Sequence, residues 1–237
     1  MTAGAIFPSQ GHPYFPQDAV IPGYVLNTTG LPLILSAFGA VVGVFVLGCI
    51  ALSKQYNPTL RRADQLTVGW FALCGFLHCF FEGYFVLHHA SVPSSQSLFA
   101  QLWKEYGLSD SRYLTSDPFM LCIETLTVLT WGPLSLATAV LTARSRPREQ
   151  GTRHLLQAVV CVGHLYGVAL YYGTCGFAEH MRGISYSRPE PVYYWGYYVG
   201  MNAPWVLVPC LLLWQSARAI QKAFAAVADL EERKKGR

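Results

Sequence analysis

Five long apolar runs separated by short polar stretches dominate the hydropathy pattern of the chain. They lie at Leu31–Ala51, Gln65–Leu87, Pro118–Ala143, Leu155–Gly173 and Tyr193–Ala219. Each is long enough to cross a hydrocarbon layer of about 30 Å as a helix. Helix is the form lipid permits, because a lone strand there leaves its backbone groups unpaired. The pattern predicts an all-α membrane protein with five transmembrane helices. Residues 1–30 read as a non-helical arm, with HPYFP at 12–16 and further prolines at 8 and 22. Residues 31–220 read as the five-helix domain and 221–237 as a basic tail. No repeat or low-complexity linker divides the domain.

The longest polar interval, about 88 to 117, contains LFAQLWKEYGLSDSRY. Phe99, Leu102, Trp103 and Tyr106 recur there at helical spacing. They predict a short amphipathic helix lying at the membrane interface as an anchor, a layer rich in Trp and Tyr.

Composition strengthens the membrane assignment. The 237 residues are 52% hydrophobic and only 13% charged, outside the soluble range. A net charge of +4 could indicate a nucleic-acid partner, but the basic residues sit in short clusters between apolar runs, so none is expected. Lys54, Arg61, Arg62, Arg144, Arg146, Arg148, Arg153 and six tail residues (Arg218, Lys222, Arg233, Lys234, Lys235, Arg237) fall on one side. Lys104, Arg112, Arg182 and Arg188 fall on the other, a split of 13 to 4. The positive-inside rule then puts the C-terminus in the cytosol and the N-terminus in the lumen. The ending KKGR places lysines third and fourth from the end, matching a dilysine retrieval signal for the endoplasmic reticulum. The first thirty residues have no Lys or Arg, so no signal peptide is expected. Six of the seven cysteines fall inside spans as small apolar residues, and no CxxC pair or disulfide framework appears. The sequon Asn27-Thr28-Thr29 lies almost against the membrane and is expected to be unmodified.

Candidate chemistry concentrates in GFLHCFFEGYF, residues 75 to 85. His78 and Glu82 are four apart, hence stacked on one face of a helix. Of thirteen acids, only Glu82 and Glu124 lie within spans. A charged side chain at mid-span costs about 2.5–3.5 kcal/mol on insertion scales, and ionisable residues there mark function by default. The bland alternative is a structural hydrogen bond between helices. Counted inward at about 1.5 Å per residue, Glu82, Glu124, His78, Asn202 and His164 lie roughly 8–15 Å deep. Met120, Glu124, Thr127 and Trp131 share helical spacing, as do Tyr198, Asn202 and Trp205. Four helices thus offer polar groups to one layer, as around an intramembrane cavity.

No metal site is expected, because HxxxE supplies two ligands and a third is not obvious. Neither a nucleophile motif nor a phosphate loop is present, and no cofactor is implied. What remains is proton chemistry. A carboxyl buried in an apolar medium favours its protonated form, histidine can pass protons on, and a Trp ring face can stabilise a cation. Such a set suits proton-driven rearrangement of a lipophilic alkene.

Several of these segments closely resemble the emopamil-binding-protein, or EXPERA, family. They are GFLHCFFEGYFVL, LWKEYGLSDSRYLTSDPF, CIETLTVLTWGPLSL and MNAPWVLVP, with HPYFP and GHLYGVALYY also similar. The likeness runs in order over nearly the whole chain. It implies a five-helix bundle in the endoplasmic reticulum membrane, a homodimer, and isomerisation of a sterol from Δ8 to Δ7 without a cofactor. The implied route protonates carbon 9, forms a cation at carbon 8 and removes a proton from carbon 7. On this resemblance His78, Glu82 and Glu124 are catalytic: Glu124 with His78 donates, and Glu82 accepts or orients His78. Thr127 and Asn202 would hydrogen-bond the carboxyls, Trp205 would face the cation, and Met120, Leu121 or Ile123 would line the wall. Tyr198 joins the substrate-contact candidates through the helix face it shares with Asn202 and Trp205. The family pattern implies a glutamine where this chain has His164 and an acid where it has Val168; His164 is kept as a further candidate. Hydrophobic cationic amines, which mimic the cation, are expected inhibitors.

Two other functions fit parts of this pattern. One is a non-catalytic sterol- or amine-binding protein of the same superfamily, which need not keep the His–Glu–Glu–Asn–Trp set. The other is a proton-coupled transporter, which would show broken helices or inverted repeats.

Overall fold

The computed structural model describes residues 11–235. Among them the chain is all-helical, and five helical stretches are long and apolar enough to span a membrane: Leu31–Tyr56, Arg62–His88, Pro118–Arg144, Pro147–Arg182 and Val192–Lys235. These contain the five apolar runs and extend beyond them. The extension is greatest at the C-terminus, where α8 (Pro204–Lys235) continues as an exposed helix through AAVADLEERKK. Ala, Leu, Glu, Lys and Arg all favour helix, so the basic tail continues the last helix. The glycine and arginine that complete KKGR lie outside the described residues.

The remaining elements are α1 (Leu31–Tyr56), α2 (Arg62–Phe76), α3 (Gly83–His88), α4 (Leu98–Tyr106), α5 (Pro118–Leu126), α6 (Gly132–Arg144) and α7 (Gln150–Arg182). Three π-helical segments interrupt them at Leu77–Glu82, Thr127–Trp131 and Val192–Gly200. The π-helix, with i→i+5 bonding, is rare and concentrates at functional sites. Here its segments carry His78 and Glu82, Thr127, and Tyr198.

The chain forms two compact units. The first comprises Met1–Val41, Phe80–Val128 and Leu170–Ala203, and the second Val42–Cys79, Leu129–Ala169 and Pro204–Arg237. In the first, Tyr14, Ile21, Phe85, Trp103, Tyr113, Met120, Tyr171 and Tyr198 share one buried core. The described part of the N-terminal arm is non-helical and joins this core. Tyr14 donates from its hydroxyl to the Lys104 carbonyl at 3.0 Å.

α4 departs from the expected interfacial anchor. Ala100, Gln101, Leu102, Trp103 and Lys104 are all buried, so the helix is covered on its polar side as well. The Trp103 ring stacks on Phe81 at 4.3 Å and its indole N–H donates to the Phe81 carbonyl. Lys104 donates to the Val25 carbonyl at 2.9 Å. Helical spacing shows one apolar face but not that a loop covers the other.

Behind α4, Arg112 forms a buried ion pair with Asp110 at 2.6 Å, donates to Thr174 Oγ1 and packs over the Tyr171 ring. Burial opposes its charge, yet the adjacent Asp110 carboxylate keeps the guanidinium firmly protonated.

In the second unit Leu60, Val68, Phe71, Ala139, Val160 and Cys161 form the core. α2 and α6 pack closely together. Arg153, counted in the sequence among loop cations, is fully buried and donates to Asp64 at 2.7 Å.

Candidate functional site

Glu124 is fixed from its own helix start. Asp117 caps α5 by accepting from the Phe119 and Met120 amides at 2.9 and 3.1 Å, and Pro118 occupies the first helical turn, where no amide is needed. Two turns on, Glu124 is buried, 8% exposed, and its Oε1 accepts a 2.8 Å hydrogen bond from the Tyr113 hydroxyl. The Glu82 carboxyl lies beside it, within hydrogen-bonding reach. Burial, followed by the Glu124 charge, pushes the Tyr113 phenol well above its ordinary value, so Tyr113 stays a donor.

A second polar thread runs beside this pair in the same unit. Asn202 donates to the Tyr106 hydroxyl at 3.0 Å and to the Tyr198 carbonyl at 2.8 Å, and Tyr106 meets the Tyr171 hydroxyl at 3.3 Å. Asn202 therefore spends its amide hydrogens on a tyrosine and on backbone, and donates neither to a carboxyl. Thr127 likewise donates to the Ile123 carbonyl at 2.9 Å, the back-bond common to helical threonines. Met120 is fully buried against the aromatic core, and Tyr198 packs between Tyr171 and Tyr172. A pocket of about 200 Å³ nearby, lined by Tyr172, Cys175, Glu179, His180 and Tyr194, shares only Tyr198 with the expected site.

The second unit holds the histidines. His78 and His164, both buried, bring their Nε2 atoms to 3.0 Å with ring centroids 5.1 Å apart. One ring must donate and the other accept. Cys74 joins them: its Sγ and a nitrogen of each ring lie within 4.8 Å of one another. Cys74 from α2 and His164 from α7, rather than Glu82 of HxxxE, thus complete a group of three potential ligands with His78.

Glycines allow this packing. A Cβ on Gly132 would meet Cys79 Sγ at 2.5 Å and His78 Cβ at 3.3 Å, so α6 approaches the turn carrying His78 only without a side chain. A Cβ on Gly163 would strike the Trp131 ring at 2.7 Å. Trp205 packs on Trp70 with centroids 5.3 Å apart, and both indole nitrogens are buried without hydrogen-bond partners.

Each expected site residue thus falls in one of two groups. Glu82, Glu124, Met120, Thr127, Tyr198 and Asn202 belong to the first unit, and His78, His164 and Trp205 to the second. Tyr113 and Cys74 are partners that spacing did not single out, and spacing placed Tyr106 on an interfacial helix rather than beside Asn202. The tyrosines lie in the polar interval, where no helical period links them to a span.

The profile of the EXPERA (EXPanded EBP superfamily) family matches residues 98–216. The 3-beta-hydroxysteroid-Delta(8),Delta(7)-isomerase of Cavia porcellus is 34% identical over 95% of this chain and 96% of its own length. Its namesakes from Mus musculus and Rattus norvegicus are each 35% identical over 90% of both chains.

Proposed function

The chain belongs to the EXPERA family, and on that footing we propose that it works as those relatives are named. It is a membrane isomerase that shifts a sterol ring double bond from Δ8 to Δ7. One proton enters at carbon 9, a tertiary cation forms at carbon 8, and one proton leaves carbon 7. The proton balance is zero, and no electron acceptor is needed.

The observation that carries this reading is Glu124, a buried carboxyl in a membrane helix, held by Tyr113 with Glu82 beside it. An alkene is a weak base, and protonating it calls for an acidic proton held in place away from water. Glu124 supplies that proton with His78, and Glu82 takes the proton from carbon 7 or orients His78. Tyr113 fixes the donor oxygen. Asn202 positions Tyr106 rather than a carboxyl, and Thr127 shapes its helix. Trp205 offers a ring face to the cation, and Met120 and Tyr198 bound the sterol. His164 sets the orientation of the His78 ring through the bond between their Nε2 atoms.

The same reading puts the protein in the endoplasmic reticulum membrane as a homodimer, with the N-terminus lumenal and the C-terminus cytosolic. Hydrophobic cationic amines inhibit it by resembling the cation. Expression in yeast lacking its own sterol isomerase, followed by sterol analysis, tests the activity: Δ7 sterols should reappear, and persistent Δ8 sterols would refute it.

A further inference from the structure

Cys74, His78 and His164 come from α2, the following π-helical turn and α7, and converge in the core of one compact unit. All three are at most 5% exposed, and their ligand atoms lie within 4.8 Å of one another. The two Nε2 atoms are 3.0 Å apart. In a tetrahedral site with metal–nitrogen distances near 2.0–2.1 Å they would stand about 3.3 Å apart. A small opening of the histidine pair would therefore admit an ion. The other atom of the His164 ring, Nδ1, is buried without a hydrogen-bond partner, so no existing bond at Nδ1 opposes a small turn of that ring.

From this convergence we propose that Cys74, His78 and His164 form a three-ligand site for a borderline-soft cation, zinc above all, and that its occupancy silences the isomerase. A thiolate with two imidazoles suits zinc and disfavours magnesium or calcium, which take oxygen ligands. Three protein ligands leave one position for water. On binding, the Cys74 S–H bond breaks, the sulfur–zinc bond forms and the proton leaves to solvent. Both imidazoles bind neutral through a ring lone pair. Zinc then occupies the His78 lone pair that proton transfer would use. This inhibitory half rests on the role given to His78 above; the binding half does not.

The test uses the full chain purified in detergent, with zinc alone as the probe. Competition against a chromophoric chelator should show one zinc per chain, bound at least roughly tenfold more weakly by Cys74→Ala and His164→Gln. Cobalt(II) in the same site should give a thiolate charge-transfer band that Cys74→Ser abolishes while the chain stays monodisperse. Zinc should inhibit turnover with the midpoint at which it binds, and Cys74→Ala should keep its basal rate and resist zinc. Equal affinity in all three chains, or no thiolate band, overturns the site and leaves the isomerase reading intact. Zinc bound at the site with turnover unchanged overturns the inhibition, and with it the role of His78.

Discussion

Tyr113 and Glu124 meet across eleven residues through a 2.8 Å hydrogen bond, joining a short 3₁₀ turn outside the membrane spans to the buried carboxyl of α5. The bond fixes one Glu124 oxygen. Removing it with Tyr113→Phe leaves that oxygen without its donor, a change worth about 1–3 kcal/mol at a buried group. We expect kcat to fall roughly tenfold, one decade for each ~1.4 kcal/mol, with KM for sterol little changed. Equal kcat in the variant would show that Tyr113 positions nothing the reaction needs.

The close approach of α6 to the His78 turn gives a stability prediction. Gly132→Ala forces a Cβ within 2.5 Å of Cys79 Sγ and should destabilise the protein by about 1–3 kcal/mol, the usual range for overpacking. Gly43→Ala in α1, where nothing lies within 4 Å of the new Cβ, serves as the control and should leave the melting temperature unchanged or higher. Matching melting temperatures for the two variants would contradict the packing described.

Orientation is testable on sealed microsomes. The proposed orientation, drawn from the 13-to-4 distribution of basic residues, has the C-terminal end of α8 in the cytosol, so a C-terminal tag should be cleaved by protease without detergent. Protection of the tag would reverse the topology and remove the dilysine signal.

Amine binding reports on Trp205. A site that stabilises a sterol cation should bind hydrophobic ammonium compounds at sub-micromolar concentration, as transition-state resemblance expects. Trp205→Ala should weaken that binding at least roughly tenfold, the range of a desolvated cation–π contact of about 2 kcal/mol. Unchanged affinity would leave Trp205 with its packing against Trp70 alone.

Much of the fold was legible because lipid enforces helix on any long apolar run, and all five runs lie within the helices found. Inward counting put His78 and His164 at similar depth, and their rings are in contact. Other features left no periodic mark. Inserting π turns at Leu77–Glu82 and Thr127–Trp131 changes backbone bonding without changing hydrophobicity. The burial of Lys104 and Arg112 depends on carbonyl and carboxylate partners at Val25 and Asp110. For Lys104 the partner is 79 residues away in sequence. Thr127 and Asn202 look like free polar groups on a helix face until their bonds to Ile123, Tyr106 and Tyr198 are seen.

The central claim is that Glu124 carries the proton, and Glu124→Gln tests it most directly. Glutamine keeps the volume and can still accept from Tyr113, but it has no acidic proton to give. A neutral amide costs less in lipid than a carboxylate, so the variant should fold, remain monodisperse and bind amine. Its turnover per folded molecule should fall at least about a hundredfold, the lower end for losing general acid–base catalysis. A purified Glu124→Gln chain that binds amine and isomerises Δ8 sterol at the parental rate would contradict the account.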